Sequence, residues 1–432
     1  MNKKIIVCLF FITISFFVKG QENTWSLQKC IDTALENNIE IKIRQLEIKR
    51  TQKARNSMLN EILPVVNLFG SQSYNFGSTI NPSTNGRVSS NIQYDNFYLN
   101  AQMNLLDFNA IVNSKRNKIS IEIAKAEKEI IENEYKLQIL ESYYQALFTQ
   151  ELLKIQKEQL KNTIFNFDRI SKEVNTGSKP KSDLYDIQLN LSQEEKQVIE
   201  TEQLFTIQKT QLFQLMNYSN IIIENVSLEK ALTSNVETEK EINNPKIISA
   251  KLNYERDLEE VSLQRSNNLP VLSAFYQISS FYYKPLNQPD VIVDSFNNQI
   301  GNNKNQQVGL QLNIPILNGF KNNRKINVAK IESEKSNLKI EQENQKVAQQ
   351  LEIEEKNKQN YLALQKKLDE VLAFAHASFI TTQAKFVVGK VDTFIYSSVK
   401  NNVLTSEYNV LKNDLQLQYI NFKMNLIRSN NL

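Results

Sequence analysis

Four stretches of the chain alternate apolar and polar residues with a period of two, the pattern of strands with two unlike faces. In 97–105, Phe97, Leu99, Ala101, Met103 and Leu105 fall on one face and Asn100, Gln102 and Asn104 on the other. In 306–314, Val308, Leu310, Leu312 and Ile314 oppose Gln307, Gly309, Gln311 and Asn313. Val66, Leu68, Tyr74 and Phe76 oppose Asn67, Ser71, Ser73 and Asn75. Leu272, Ala274, Tyr276, Ile278 and Tyr282 oppose Ser273, Gln277 and Ser279. The predicted strands cover 64–76, 94–108, 270–282 and 306–318. Each is about as long as a tilted membrane-crossing strand, roughly 9–11 residues. The plainer reading is a half-buried sheet on a soluble core. Two details favour a barrel. The polar faces carry Asn, Gln and Ser almost without charge, as a wetted lumen lined by Asn100, Gln102, Asn104, Gln307, Gln311 and Asn313 would. Aromatics gather at Tyr74, Phe76, Phe281, Tyr282 and Tyr283, as interfacial girdles do.

Between the strands the period changes to that of helices. The pattern predicts a helix over 26–61 with Ser26 as N-cap, a long helix over 109–174 and a return helix over 180–217. Ile123, Ile130, Leu137 and Tyr144 recur every seven residues, and Ile119, Ala126, Leu140 and Leu147 fill the complementary register, interrupted by Asn133. That is coiled-coil packing. At 1.5 Å per residue the long helix would reach roughly 100 Å. A second set follows over 245–267, 320–388 and 391–428. Its last helix has Val403, Val410, Leu417 and Met424 at the same spacing. Gly177-Ser178-Lys179-Pro180 and Gly389-Lys390-Val391-Asp392 turn each long helix into its return helix. These tips would lie at the end of the molecule away from the strands.

The two sets are one unit used twice. Leu63-Pro64 has its counterpart in Leu269-Pro270, Met103-Asn104-Leu105 in Leu312-Asn313-Ile314, Phe108-Asn109-Ala110 in Leu317-Asn318-Gly319, and Gly177 in Gly389. The first repeat covers 21–230 and the second 231–432. Four strands cannot close a membrane barrel, which starts at about eight. Open sheet edges in lipid are costly, so the chain must pool strands with copies of itself. Two copies supply eight strands and three supply twelve.

Composition narrows the class. Only 9 Gly and 8 Pro in 432 residues mean long uninterrupted elements. Charge is balanced, 51 basic against 47 acidic residues, with Lys3, Lys4 and Lys19 in the leader, so nothing points to nucleic acid. Residues 1–20 read as a signal peptide: a basic start, the apolar run from Ile5 to Val18, and Gly20 at the cleavage site. Cys8 leaves with it, and Cys30 alone cannot form an intramolecular disulfide. No later stretch is long and apolar enough for a membrane helix. The single His376 stands inside a helix. No phosphate loop, metal-ligand cluster or nucleophile elbow appears, so the chain reads as a non-enzyme without cofactor or metal.

The opening run from Trp25 to Asn38, the Leu-Pro before each strand pair and the Gly at each helical tip together resemble the TolC family of outer-membrane efflux proteins. That resemblance implies a mixed α/β membrane protein. It would be a homotrimer whose four strands per chain make a 12-stranded transmembrane barrel in outer-membrane lipid. A long antiparallel α-helical coiled-coil tube would stand in the periplasm of a Gram-negative bacterium. The implied role is the passive channel of a tripartite efflux or type I secretion system, exporting small molecules or proteins. Its partners would be a periplasmic adaptor and, through it, an inner-membrane pump of RND, ABC or MFS type. The tip residues Gly177, Pro180, Asp183, Gly389 and Asp392 would dock the adaptor. Asp183, Asp186 and Asp392 are candidates for gating, with helix capping as the plainer role. The second tip departs from the family pattern, because Ile395 stands six residues after Gly389, where an acid is expected. The rival reading is a periplasmic coiled-coil adaptor or scaffold that never enters a membrane.

Overall fold

The computed structural model describes residues 23–55, 57–89, 91–219, 223–230, 241–286, 288 and 291–430. The signal peptide expected over 1–20 lies outside the described residues. In the first repeat β1 (Asn23–Trp25) leads into α1 (Leu27–Asn37), α2 (Ile39–Ala54) and α3 (Met58–Ile62). Then come β2 (Val65–Asn75), β3 (Ser78–Ile80), β4 (Arg87–Ser89), β5 (Ile92–Leu106), α4 (Phe108–Asn175) and α5 (Lys181–Leu215). The first repeat closes with β6 (Val226–Leu228), and the second has α6 (Pro245–Ser266), β7 (Val271–Pro285), α7 (Phe296–Asn302), β8 (Asn305–Asn313), α8 (Lys321–Val387) and α9 (Thr393–Ser429).

The first helix, expected unbroken over 26–61, is three helices. Asn38 has ψ 123° and leaves helical geometry. Its N–H still donates to Ala34 O, while its Oδ1 accepts from Ile41 N at 3.0 Å. One side chain thus closes α1 and opens α2. Ser57 caps α3 in the same way, accepting from Asn60 N at 3.3 Å. Strand ends also shift. β5 stops at Leu106 because Asp107 Oδ1 accepts from Asn109 N at 2.9 Å and starts α4. β8 stops at Asn313, before Pro315, which has no N–H for a ladder. The link after β2 folds into the small β3–β4 hairpin, and the link after β7 forms α7.

The chain divides into two compact units. One holds the described residues up to Leu46, Ala126–Ile248 and those from Glu341 on. Its core joins Trp25, Cys30 and Ile31 to Leu140, Leu147, Phe213 and Leu426. Trp25 meets Phe213 edge to face at 4.9 Å, and Lys29 Nζ lies 4.2 Å from the Trp25 ring centroid. β1 pairs in parallel with β6. The backbone of this short pair is satisfied by side chains. Gln150 Nε2 donates to Leu228 O at 2.8 Å, and its Oε1 accepts from Leu228 N at 2.7 Å. The Tyr143 hydroxyl lies 2.9 Å from Trp25 O. Burial pushes the Cys30 thiol up to about 12, with Lys29 opposing, and raises Tyr143 above its ordinary value.

The second unit, Glu47–Lys125 with Ser249–Ile340, is built on one antiparallel sheet ordered β2-β5-β7-β8. β5 and β7 are central, and β2 and β8 are the edges. Beyond Ser279, where β8 ends its pairing, α7 takes over that side of β7. Gln299 accepts from Tyr283 N at 2.9 Å and donates to Tyr283 O at 3.0 Å. Arg116 bridges α4 to Glu260 of α6 at 2.7 Å.

Candidate functional site

The sheet carries the first candidate surface. Its register places Asn67, Asn100, Gln277 and Gln307 in one row across all four strands. Gln102 and Asn104 lie on the same face as Asn100, and Ser273 stands between Asn104 and Gln311. Asn313, opposite Val271, also belongs to this face. The adjoining row on the other face is Leu68, Leu99, Ile278 and Gln306, followed by Val66, Ala101, Tyr276 and Val308. Along these rows one face is greasy and the other neutral and polar, and Asp95 and Lys284 stand farther along on the greasy side. β2 and β8 contain no charged residue, and the sheet's charges are Asp95 and Lys284, near the strand ends remote from α4.

Three details escaped the alternation pattern. Pairing steps from Asn104–Ser273 to Leu106–Leu272, so a bulge lets Leu106, not Leu105, stand opposite Leu272. Phe281 and Tyr283 share the polar face with Tyr94 and Tyr98, opposite the face of Tyr282. The girdle expected from these residues is thus split between two faces, as period two requires of neighbours. Finally, Phe275 lies over Gly309, where an added Cβ would sit 2.8 Å from the ring. The ring covers a bare stretch of edge backbone, which only Gly permits.

The helical tips carry the second candidate surface. Both turns have one geometry. Gly177 has φ +78° and Gly389 φ +72°. Ser178 N donates to Glu173 O and Gly177 N to Val174 O at the first. Lys390 N donates to Lys385 O and Gly389 N to Phe386 O at the second. This double bond pattern closes a helix through a left-handed residue. Pro180 is the N-cap of α5 with no side-chain bond, whereas Asp392 caps α9 by accepting from Ile395 N at 2.8 Å. Asp183 is paired with Lys179 at 3.0 Å, both largely covered. Asp186 is exposed on α5. The three candidate acids are not brought together: two are engaged locally, and the third faces outward.

Beneath the turns lies a network that sequence reasoning did not anticipate. Phe386 of α8 stacks on Tyr396 of α9 at 4.2 Å, and the Arg169 guanidinium of α4 covers Phe386 at 4.7 Å. The Tyr396 hydroxyl accepts from Asn166 Nδ2 at 2.9 Å. One turn further along α9, Lys400 Nζ reaches both Glu194 carboxylate oxygens of α5 at 2.8 and 3.0 Å. It also reaches Gln159 O at 2.9 Å and the Thr163 hydroxyl. Lys400 is 1% exposed. Burial lowers its pKa, and Glu194 opposes that shift. Each partner alone reads as an ordinary solvated helix charge.

His376, half exposed, lies 3.5 Å from Glu407. Among the described residues no group of His, Cys, Asp or Glu could hold a metal, and no helix is long and apolar enough to cross a membrane.

A family model described as outer membrane efflux protein matches the chain twice, over residues 30–218 and 238–422. Several solved structures share the fold. The CusC structure, described in connection with folding and transmembrane channel formation, is 16% identical with a TM-score of 0.74, covering 93% of this chain and 92% of its own. The CmeC outer membrane channel of Campylobacter jejuni is 14% identical with a TM-score of 0.70, covering 93% and 84%. The MtrE outer membrane channel of Neisseria gonorrhoeae, in its open state, is 14% identical with a TM-score of 0.68, covering 94% and 91%. No curated protein matches by sequence.

Proposed function

The chain belongs to the outer membrane efflux protein family, and on that premise we propose that it is the passive outer-membrane channel of a tripartite efflux or type I secretion system. Members of the family are channels rather than enzymes. The observation that carries the reading is the four-stranded sheet, greasy on one side, neutral and polar on the other, and open at both edges. An open edge in hydrocarbon leaves N–H and C=O groups unpaired at several kcal/mol each. The greasy face makes sense against lipid, and the edges make sense closed by copies of the chain.

Three copies would pool twelve strands and leave room for a pore, whereas eight strands give an interior filled by side chains. Lined by Asn100, Gln102, Asn104, Gln307, Gln311 and Asn313, the lumen offers hydrogen bonds without fixed charge, so charge selectivity along the sheet would be weak. The helical turns at Gly177, Pro180, Asp183, Gly389 and Asp392 would meet a periplasmic adaptor. Energy would come from an inner-membrane pump recruited through it. Asp392 serves as a cap and Asp183 as half of an ion pair, so gating by these acids has less support than docking.

Reconstitution into planar bilayers tests the channel. Conducting trimers that need detergent for extraction are expected. Release by carbonate wash, together with a folded oligomer that conducts at no voltage, would sink the reading and restore the scaffold.

A further inference from the structure

The two faces of the sheet exchange character along the strands. Up to the row of Leu68, Leu99, Ile278 and Gln306, the apolar side chains gather on one face and Asn and Gln on the other. Farther from α4 the first face turns polar, with Gln72, Gln93, Asp95, Ser280 and Lys284. Its rings Phe97 and Tyr282 are taken up by α7, whose Phe296 meets them at 6.1 and 5.3 Å. The Ser280 hydroxyl donates to Ile300 O of the same helix at 2.8 Å. Tyr74, on the edge strand β2, stays exposed on this side.

The other face gains what this one loses. Beyond Asn100, Phe69 stands opposite Tyr98, Asn96 opposite Phe281, and Tyr94 between Ser73 and Tyr283. Five rings thus fall within three successive rows on one face. Those rows span roughly 14 Å of strand. Phe69 stacks on Tyr98 at 4.8 Å, and Tyr94 tilts onto Phe281 at 5.7 Å. None of the four strands places a charge on this face. The rings are not folded away, since Phe69 is 44% and Phe281 40% exposed. Nor can they anchor the sheet in lipid, because the side offered to lipid is the opposite one. An open apolar patch on a wetted wall marks a surface that meets a ligand.

The chemistry of the patch names its class. Aromatic pairs extend readily by a further ring, offset or edge-on. The hydroxyls of Tyr94, Tyr98 and Tyr283 can meet a polar edge, and no fixed charge would hold a solute too long to leave. We infer that Phe69, Tyr94, Tyr98, Phe281 and Tyr283 form a contact site for flat aromatic cargo in the lumen, at the strand ends remote from α4. This inference rests on the channel reading, in which the face of Asn100 and Gln277 is the lumen. It goes beyond that reading by giving a chemical class of cargo and the side chains that meet it.

Single-channel recording from the full-length protein in planar bilayers tests it. Ethidium is a flat aromatic cation, and butylammonium carries the same charge without a ring. Ethidium is expected to interrupt the current at concentrations at least about tenfold lower. Phe69→Leu/Phe281→Leu keeps the apolar bulk and removes one ring from each pair. It should weaken the ethidium block about tenfold and leave the butylammonium block within about twofold. Phe281→Leu alone should fall between, and Tyr74→Leu, on the opposite face, should leave the ethidium block unchanged. Equal block by the two cations in the unmodified channel would overturn the site, and this comparison needs no variant. So would an ethidium block that survives the double substitution, or one lost equally in Tyr74→Leu. In each of these cases the channel still conducts and that reading stands. An unmodified oligomer that conducts at no voltage would overturn both.

Discussion

The two helical tips share a backbone and little else. Each turn closes through a left-handed glycine with the same pair of bonds. The first then presents Lys181 and Asp186, with Lys179 and Asp183 paired and largely covered beside them. The second presents Val388, 66% exposed, Phe394, 73% exposed, and Ile395. Duplication preserved what the chain reversal requires, a residue without Cβ at positive φ, and left the outward side chains free to diverge. Inward, the difference becomes complementarity. The second hairpin supplies Phe386, Tyr396 and Lys400, and the first supplies Arg169, Asn166 and Glu194 to receive them. The tips are unlike because they are two sides of one contact.

The sharpest way to break that contact is Lys400→Ala. It strands the buried Glu194 carboxylate and should cost about 3–5 kcal/mol, whereas Lys400→Met with Glu194→Leu should restore most of the loss. Thermal unfolding followed by circular dichroism distinguishes them, and a harmless single variant would refute the clasp. Phe386→Ala should cost a comparable, about 3–5 kcal/mol, while Phe394→Ala, exposed eight residues later, should stay within about 0.5 kcal/mol. The same measurement on this pair separates the inner from the outer side of the second tip. Gly177→Ala and Gly389→Ala should each lose about 1–2 kcal/mol through the left-handed turn. Clearly unequal losses would mean that the turns are not equivalent. Asp392→Ala should cost about 1 kcal/mol as a lost cap and Asp183→Ala about 0.3–1 kcal/mol. Neither should alter conductance in planar bilayers, and a changed conductance would revive gating.

Much of the sheet could be read in the chain because period two reports directly which side each residue takes, and Asn100 or Leu99 announces its own face. The opening run from Trp25 to Asn38 was equally legible, and its residues Trp25, Leu27, Cys30, Ile31 and Ala34 prove to be core. The breaks at Asn38 and Ser57 were not, since neither residue interrupts a helical pattern unless its side chain turns back on the next amide. α7 was missed because its run of Asn and Gln has no apolar period; its role is to satisfy one edge of β7. Lys400 and Glu194 were invisible for another reason. They lie 206 residues apart, and charge on a helix reads as solvated until the partner is placed.

The pairing of β1 with β6 imposes an order of events. Strand β1 finds its neighbour only after two hundred further residues have been made, and the same core closes with Leu426, near the far end of the chain. A chain emerging amino end first must therefore keep its opening strand unpaired until about half of it has been made, and closure over such separations is slow. Trp25 is the sole tryptophan and ends against Phe213, so its fluorescence is a built-in clock for the closing of that contact.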